Sequence, residues 1–264
     1  MPAPSPVTLR DARLFAFFHI VFARHFRRGM GALRVPSWGI PREHRGRPLI
    51  VLANHPSWWD GVAFMLLSAR LFPSRHVFIP MAAEALAKYR FMRRLGVFGI
   101  EPGARGAAAF LRTAKEVLAA PRAMLWMNVP GRFQDVRERP VVIAPGVTRL
   151  AEIAPGAVIL PLALDYVFWT ESRPEMLAAF GPPMEAADLL ALDREAREGA
   201  LREALTATMD RLAAEATTRD AARFEVVAEG AEGMGGLYDL WRRVRALLRG
   251  RRFDPRHVRD AKSG

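Results

Sequence analysis

The chain has 264 residues, of which 51% are apolar, with 39 Lys and Arg against 27 Asp and Glu and no cysteine. That is enough apolar material for one sizeable core, and it excludes disulfides, thiolate nucleophiles and cysteine-based metal sites, while permitting a reducing, cytoplasmic setting. The formal charge of +12 sits at the ends: residues 1–48 hold nine Arg against Asp11 and Glu43, and residues 242–264 hold eight Arg and Lys262 against Asp254 and Asp260. Basic ends suggest an anionic partner, a membrane surface or a nucleic acid, although an arginine-rich composition alone yields such a charge.

In chain order, "MPAPSPVT" (1–8) reads as a tail without structure. A helix is expected from about Arg10 to Arg28, closed by Gly29 and Gly31. Its apolar run, Leu14 to Ala23, is broken by His19 and flanked by arginines. At about 1.5 Å per residue that run spans only about half of a bilayer core. It therefore reads either as a helix lying in the membrane interface or as one packed on the protein's own core. No signal-peptide cleavage site follows it.

Residues 34–48, rich in Pro, Gly and Arg, read as loop with room for a short strand. Strands are expected at 48–54, 76–82, 97–101, 123–129 and 158–169, where short apolar runs end at turn residues. Helices are expected at 58–72, 85–96, 106–120 and 144–157 between them. Strand and helix in alternation predict an α/β fold with a mostly parallel central sheet flanked by helices. Residues 185–222 read as one or two surface helices, and 228–236 as a flexible break. In 237–250, Leu237, Leu240, Trp241, Val244, Leu247 and Leu248 share one face and arginines the other. That is an amphipathic basic helix, for a membrane surface, a partner or the core. The expected organisation is a tail and interface helix (1–47), a core (48–184) and a C-terminal helical extension (185–264).

The chemistry concentrates in "NHPSWWD", Asn54 to Asp60. His55 falls where a strand ends, the position at which α/β sheets meet their ligands. Asp60 falls in the first turn of the next helix, within reach of one ring nitrogen of His55. A carboxylate on one nitrogen fixes the tautomer, leaves the other nitrogen as an acceptor and stabilises the imidazolium. No protein nucleophile accompanies this pair. Ser57 lacks the G-x-S-x-G surroundings of a nucleophile elbow, and there is no cysteine. The attacking group is then expected to be a hydroxyl of the substrate, which is acyl transfer with a His–Asp general base.

The segment resembles the membrane-associated glycerolipid acyltransferases, the 1-acylglycerol-3-phosphate acyltransferase family, whose first motif N-H-x4-D is matched by residues 54–60. The second motif, a hydrophobic turn ending in an acid and an arginine, corresponds to "GVFGIEPGARG" (96–106), with Pro102 at the arginine's place and Arg105 three residues on. The third, P-E-G-T-R, corresponds to "NVPGRFQD" (128–135), where Gly131 matches and Pro130 and Arg132 replace the acid and the threonine. The fourth, a strand with a central proline, fits "VILPLAL" (158–164) at Pro161.

The resemblance implies transfer of a fatty acyl group from acyl-CoA or acyl carrier protein to a hydroxyl of a lysophospholipid or related acceptor. It implies His55 and Asp60 as catalytic residues, and Asn54, Arg105, Gly131 and Arg132 as substrate-binding residues. Arg132 would hold an anionic head group, with Arg137 and Arg139 adding to the charge, and backbone N–H groups around Gly131 would hold the oxyanion. It calls for no metal and no cofactor besides the donor substrate. It places the protein peripherally on the cytoplasmic face of a membrane, with a lipid acceptor as partner. Trp58 and Trp59 line an acyl groove or pack at the helix start. The competing expectation is a catalytically silent lipid-binding protein on the same fold. A nucleic-acid partner is not expected, since no such module is legible.

Overall fold

The computed structural model describes residues 4–42, 44 and 46–231. A single turn of helix, α1 (Pro6–Leu9), is capped by Ser5 and occupies part of the expected tail. The long helix α2 (Ala12–Gly29) begins where Asp11 accepts hydrogen bonds from the N–H groups of Arg13 and Leu14, satisfying two otherwise unpaired donors. Then come β1 (Ala32–Pro36), β2 (Leu49–Ala53), α3 (Asp60–Leu71) and β3 (His76–Ala82). The helix expected over 85–96 divides into α4 (Ala83–Lys88) and a 3₁₀ segment, Arg90–Leu95. There follow β4 (Val97–Ile100), α5 (Gly103–Ala119), β5 (Ala123–Asn128), α6 (Leu150–Ile153) and β6 (Val158–Val167). Of the helix expected over 144–157, only α6 forms. The described residues close with β7 (Glu175–Phe180), β8 (Met184–Glu185), α7 (Ala186–Leu190), α8 (Arg194–Thr217) and β9 (Phe224–Glu229). The basic helix expected at 237–250 lies outside the described residues.

The strands form one sheet in the order β4-β3-β5-β2-β6-β7-β1-β9, with β8 beside β6. From β4 through β6 every pairing is parallel, and β1 is parallel to β7. The pairings β6–β7, β1–β9 and β6–β8 are antiparallel. The sheet is thus mostly parallel and covered on both faces. β1, before residue 48, and β9, after residue 184, are strands of this same sheet.

Strand periodicity assigns the two faces. Leu49, Val51 and Ala53 of β2 join Phe26 of α2 and Phe64 and Leu67 of α3 in one layer. Ile50 and Leu52 join Phe110 of α5 and Leu201, Leu205 and Leu212 of α8 in the other. All five residues of β2 are buried, as expected of a central parallel strand. The carboxyl ends of β2, β3, β4, β5 and β6 therefore share one edge, where the polar residues of interest collect.

Candidate active site

β2 stops hydrogen-bonding as backbone at Ala53, and the side chain of Asn54 continues the ladder. Its Nδ2 donates to the Leu164 carbonyl at 2.9 Å, and its Oδ1 accepts from the Leu164 N–H at 2.8 Å. Asn54 is buried with both ends of its amide committed to β6. It holds the strand end in place; the expectation that it contacts substrate is corrected accordingly. On the other side of β2, Val129 N–H donates to the Ala53 carbonyl at 2.8 Å and Gln134 N–H donates to the His55 carbonyl at 2.9 Å. The backbone on either side of Asn54 is thus pinned to the loop after β5.

Within this frame the chain turns at Pro56 and enters α3 at Asp60. His55 Nδ1 lies 2.6 Å from Asp60 Oδ2. Asp60 is fully buried, whereas the His55 side chain is 20% exposed. Tyr166 on β6 donates its hydroxyl to Asp60 Oδ1 at 2.6 Å, and the Ser57 N–H points at Oδ2 from 3.4 Å. Burial raises the Asp60 pKa above the usual carboxylate value, and the hydrogen bonds from His55 and Tyr166 pull it back down. Burial, then the neighbouring Asp60 charge, drives the Tyr166 phenol well above its ordinary value, so it stays protonated. A carboxylate that accepts on both oxygens accommodates the Nδ1 hydrogen of His55. The Nε2 lone pair is then available to take a proton from a hydroxyl.

Phe133 packs its ring 4.3 Å from the His55 imidazole and is itself exposed. Gly131 adopts φ +67°, a left-handed conformation that favours glycine, in a turn closed by its N–H on the Asn128 carbonyl at 3.1 Å. That N–H is therefore taken, which leaves the neighbouring N–H groups for the role expected around Gly131. Among the described residues, the Arg132 and Phe133 N–H groups have no protein acceptor.

Arg132 is exposed and makes only a long contact, 3.4 Å, to the Phe133 carbonyl, with no acid beside it among the described residues. Arg137 is held by Asp135 through two bonds of 2.8 and 2.7 Å, and Arg139 by Asp210 at 2.5 Å. The Arg137 guanidinium holds the Asp135 carboxyl well below the usual range. Arg105 lies exposed in the first turn of α5, after β4. β4 is three strands from β2, about 14 Å at the usual strand spacing. Arg105 therefore shares the edge but is not brought to His55.

A groove of about 1460 Å³ runs from Pro56 and Ser57 past Asp165 and Tyr166 to Thr206 and Asp210 on α8; it is lined by the residues that follow His55, not by His55 or Asp60. Trp59 is packing: its ring stacks on His25 at 4.9 Å and lies against Gly29. Trp58 is exposed. Tyr166 and Phe133 were not singled out by sequence reasoning. Tyr166 lies 106 residues from Asp60, and its only signal is its place on a strand next to β2.

The model of the family described as Acyltransferase matches residues 34–165, half of the chain. The chain belongs to the acyltransferase family. The glycerolipid acyltransferase resemblance read from residues 54–60 is thereby upheld. Among solved structures, the 1-acyl-sn-glycerophosphate (LPA) acyltransferase PlsC from Thermotoga maritima is similar in fold, with a TM-score of 0.54 at 17% identity, over 76% of this chain and 80% of that one. No curated protein matches the sequence. In this acyltransferase the family segment 34–165 runs from within β1 to within β6, one residue short of Tyr166, and includes His55, Asp60 and the 128–135 loop.

Proposed function

We propose that this acyltransferase moves a fatty acyl group from a thioester, acyl-CoA or acyl carrier protein, to a hydroxyl of a lysophospholipid or related acceptor. The observation that carries the proposal is the 2.6 Å contact between His55 Nδ1 and buried Asp60 at the carboxyl end of a central parallel strand.

In this reading His55 Nε2 removes the acceptor's hydroxyl proton as the oxygen attacks the thioester carbonyl carbon. The new C–O bond makes a tetrahedral oxyanion, which the Arg132 and Phe133 N–H groups are free to receive. Collapse breaks the C–S bond, and the imidazolium returns its proton to the departing thiolate. Asp60 keeps the ring in the required tautomer and balances its transient charge. Arg132, which has no acidic partner among the described residues, is assigned to the acceptor's anionic head group.

The N-terminal helix supports action at a membrane surface. Phe17, Ile20 and Val21 of α2 are exposed together, and Phe18 stacks at 4.5 Å on Phe91, itself exposed among Arg90, Arg93 and Arg94. An apolar ridge between arginines suits the interface of an anionic leaflet. No described helix is long and apolar enough to cross a membrane. Peripheral attachment at the cytoplasmic face is part of this proposal.

The test is purified protein with palmitoyl-CoA and a panel of lysolipids, read by mass spectrometry, beside His55→Ala. Product that disappears in the variant supports the proposal. Vesicle binding without His55-dependent product would favour a silent lipid-binding protein instead.

A further inference from the structure

A fully buried aspartate is an unusual choice for a group that must stay ionised. Burial favours its neutral form, and a protonated Asp60 would donate its hydrogen to His55 Nδ1. The imidazole would then carry its own hydrogen on Nε2 and have no lone pair there to act as a base. The geometry contains a device against this outcome. Tyr166 Oη lies 2.6 Å from Asp60 Oδ1, on the oxygen that His55 does not use. The phenol gives its hydrogen to Asp60. A donor of this kind stabilises the carboxylate and not the carboxylic acid.

The placement follows from strand register. Asn54 clips Leu164, and two residues on Tyr166 faces the same layer as Leu164, the layer that contains α3. The titratable groups acting on Asp60 are His55 and Tyr166. Asp165, from the opposite face of β6, acts on Tyr166, and Asp135 and Arg137 of the loop act on Asp165.

We propose that Tyr166 is a positioning residue for acyl transfer: its hydroxyl keeps Asp60 ionised and turned so that Oδ2 receives His55 Nδ1. This rests on the acyl-transfer reading above. Tyr166 touches no reacting atom. Its influence should therefore appear in kcat and in the pH profile and not in acceptor affinity.

The experiment compares the full chain with Tyr166→Phe, and with 3-fluorotyrosine at position 166, a more acidic phenol and a stronger donor of nearly the same size. Rates with palmitoyl-CoA and lysophosphatidic acid are taken from pH 5 to 9, and the Asp60 carboxyl carbon is titrated by NMR. In Tyr166→Phe we expect kcat to fall by roughly tenfold to a hundredfold with KM nearly unchanged. We expect its acid limb and the Asp60 titration to move together to higher pH, and fluorotyrosine to move both lower. An Asp60 titration that does not move in either variant overturns the inference, whatever the activity. If the wild-type chain forms no product, the acyl-transfer reading fails on its own, and the NMR titration still decides whether Tyr166 controls Asp60.

Discussion

Asn54 and Leu164 are joined by a closed pair of hydrogen bonds, amide to carbonyl at 2.9 Å and N–H to amide oxygen at 2.8 Å. The side chain thus substitutes for a residue of backbone ladder at the point where β2 must turn away to present His55. Asn54→Ala leaves the Leu164 N–H and C=O buried without partners, a loss of roughly 2–5 kcal/mol. Asn54→Asp sets a carboxylate against the Leu164 carbonyl and is expected to be at least as damaging. Denaturant unfolding checks both. Stability equal to wild type would contradict the clip.

Asp60→Asn separates stability from activity. The raised Asp60 pKa means that the folded protein holds this proton more firmly than the unfolded chain does. The stabilisation it gives is present below the unfolded value, 3.8, and is lost as pH rises through the raised folded value. The asparagine variant does not suffer that loss. Its unfolding free energy relative to wild type should therefore increase as pH rises from the unfolded value, 3.8. The new amide donates to His55 Nδ1 and imposes the wrong tautomer, so kcat should drop by roughly 10³–10⁴-fold. Urea titrations across pH, beside acyl-transfer rates, measure both effects.

Gly106 marks a close approach inside the fold. A Cβ there would lie 1.8 Å from the Glu101 carbonyl oxygen. Gly106→Ala must push the start of α5 away from the end of β4, and a cost of a few kcal/mol is expected. Thermal unfolding of the variant tests it, with a wild-type midpoint as the contrary result.

Arg132→Gln removes the cation assigned to the acceptor. KM for lysophosphatidic acid should rise by about tenfold or more with kcat much less affected. Monoacylglycerol, which lacks the phosphate, should show no such change. Equal effects on both acceptors would remove Arg132 from head-group binding.

Phe17→Ser with Ile20→Ser removes the centre of the exposed apolar ridge of α2. Sedimentation with vesicles containing phosphatidylglycerol should weaken by about tenfold or more. Solution unfolding should change little, since both side chains are exposed. Unchanged vesicle binding would place attachment elsewhere.

The sequence was most readable where pattern is local. The five buried residues of β2, the turn at Asn54 and His55, and α3 with Asp60 in its first turn were legible because a short apolar run ended at polar residues. β7 was not, because "EMLAAF" consists of residues that favour helices and is a strand only through its pairing with β6 and β1. β9 begins between the helices expected over 185–222 and the break expected at 228–236, where no element is expected, and is held at the sheet edge by β1. The His55–Asp60 contact could be inferred from five-residue spacing across a tight turn. Tyr166 could not, because its meeting with Asp60 depends on which strands are neighbours. Arg105 was expected near the site from its motif, yet strand order sets β4 away from β2.

In the proposed reaction the attacking oxygen belongs to the acceptor, and His55 draws off its proton. Intact-mass spectrometry of the protein after reaction with palmitoyl-CoA tests this most directly, with and without lysophosphatidic acid. The prediction is that the protein mass never changes and that free CoA appears only when acceptor is present and His55 intact. A palmitoyl adduct on the protein, at Ser57 or any other side chain, that forms without acceptor and is discharged by adding it would contradict it.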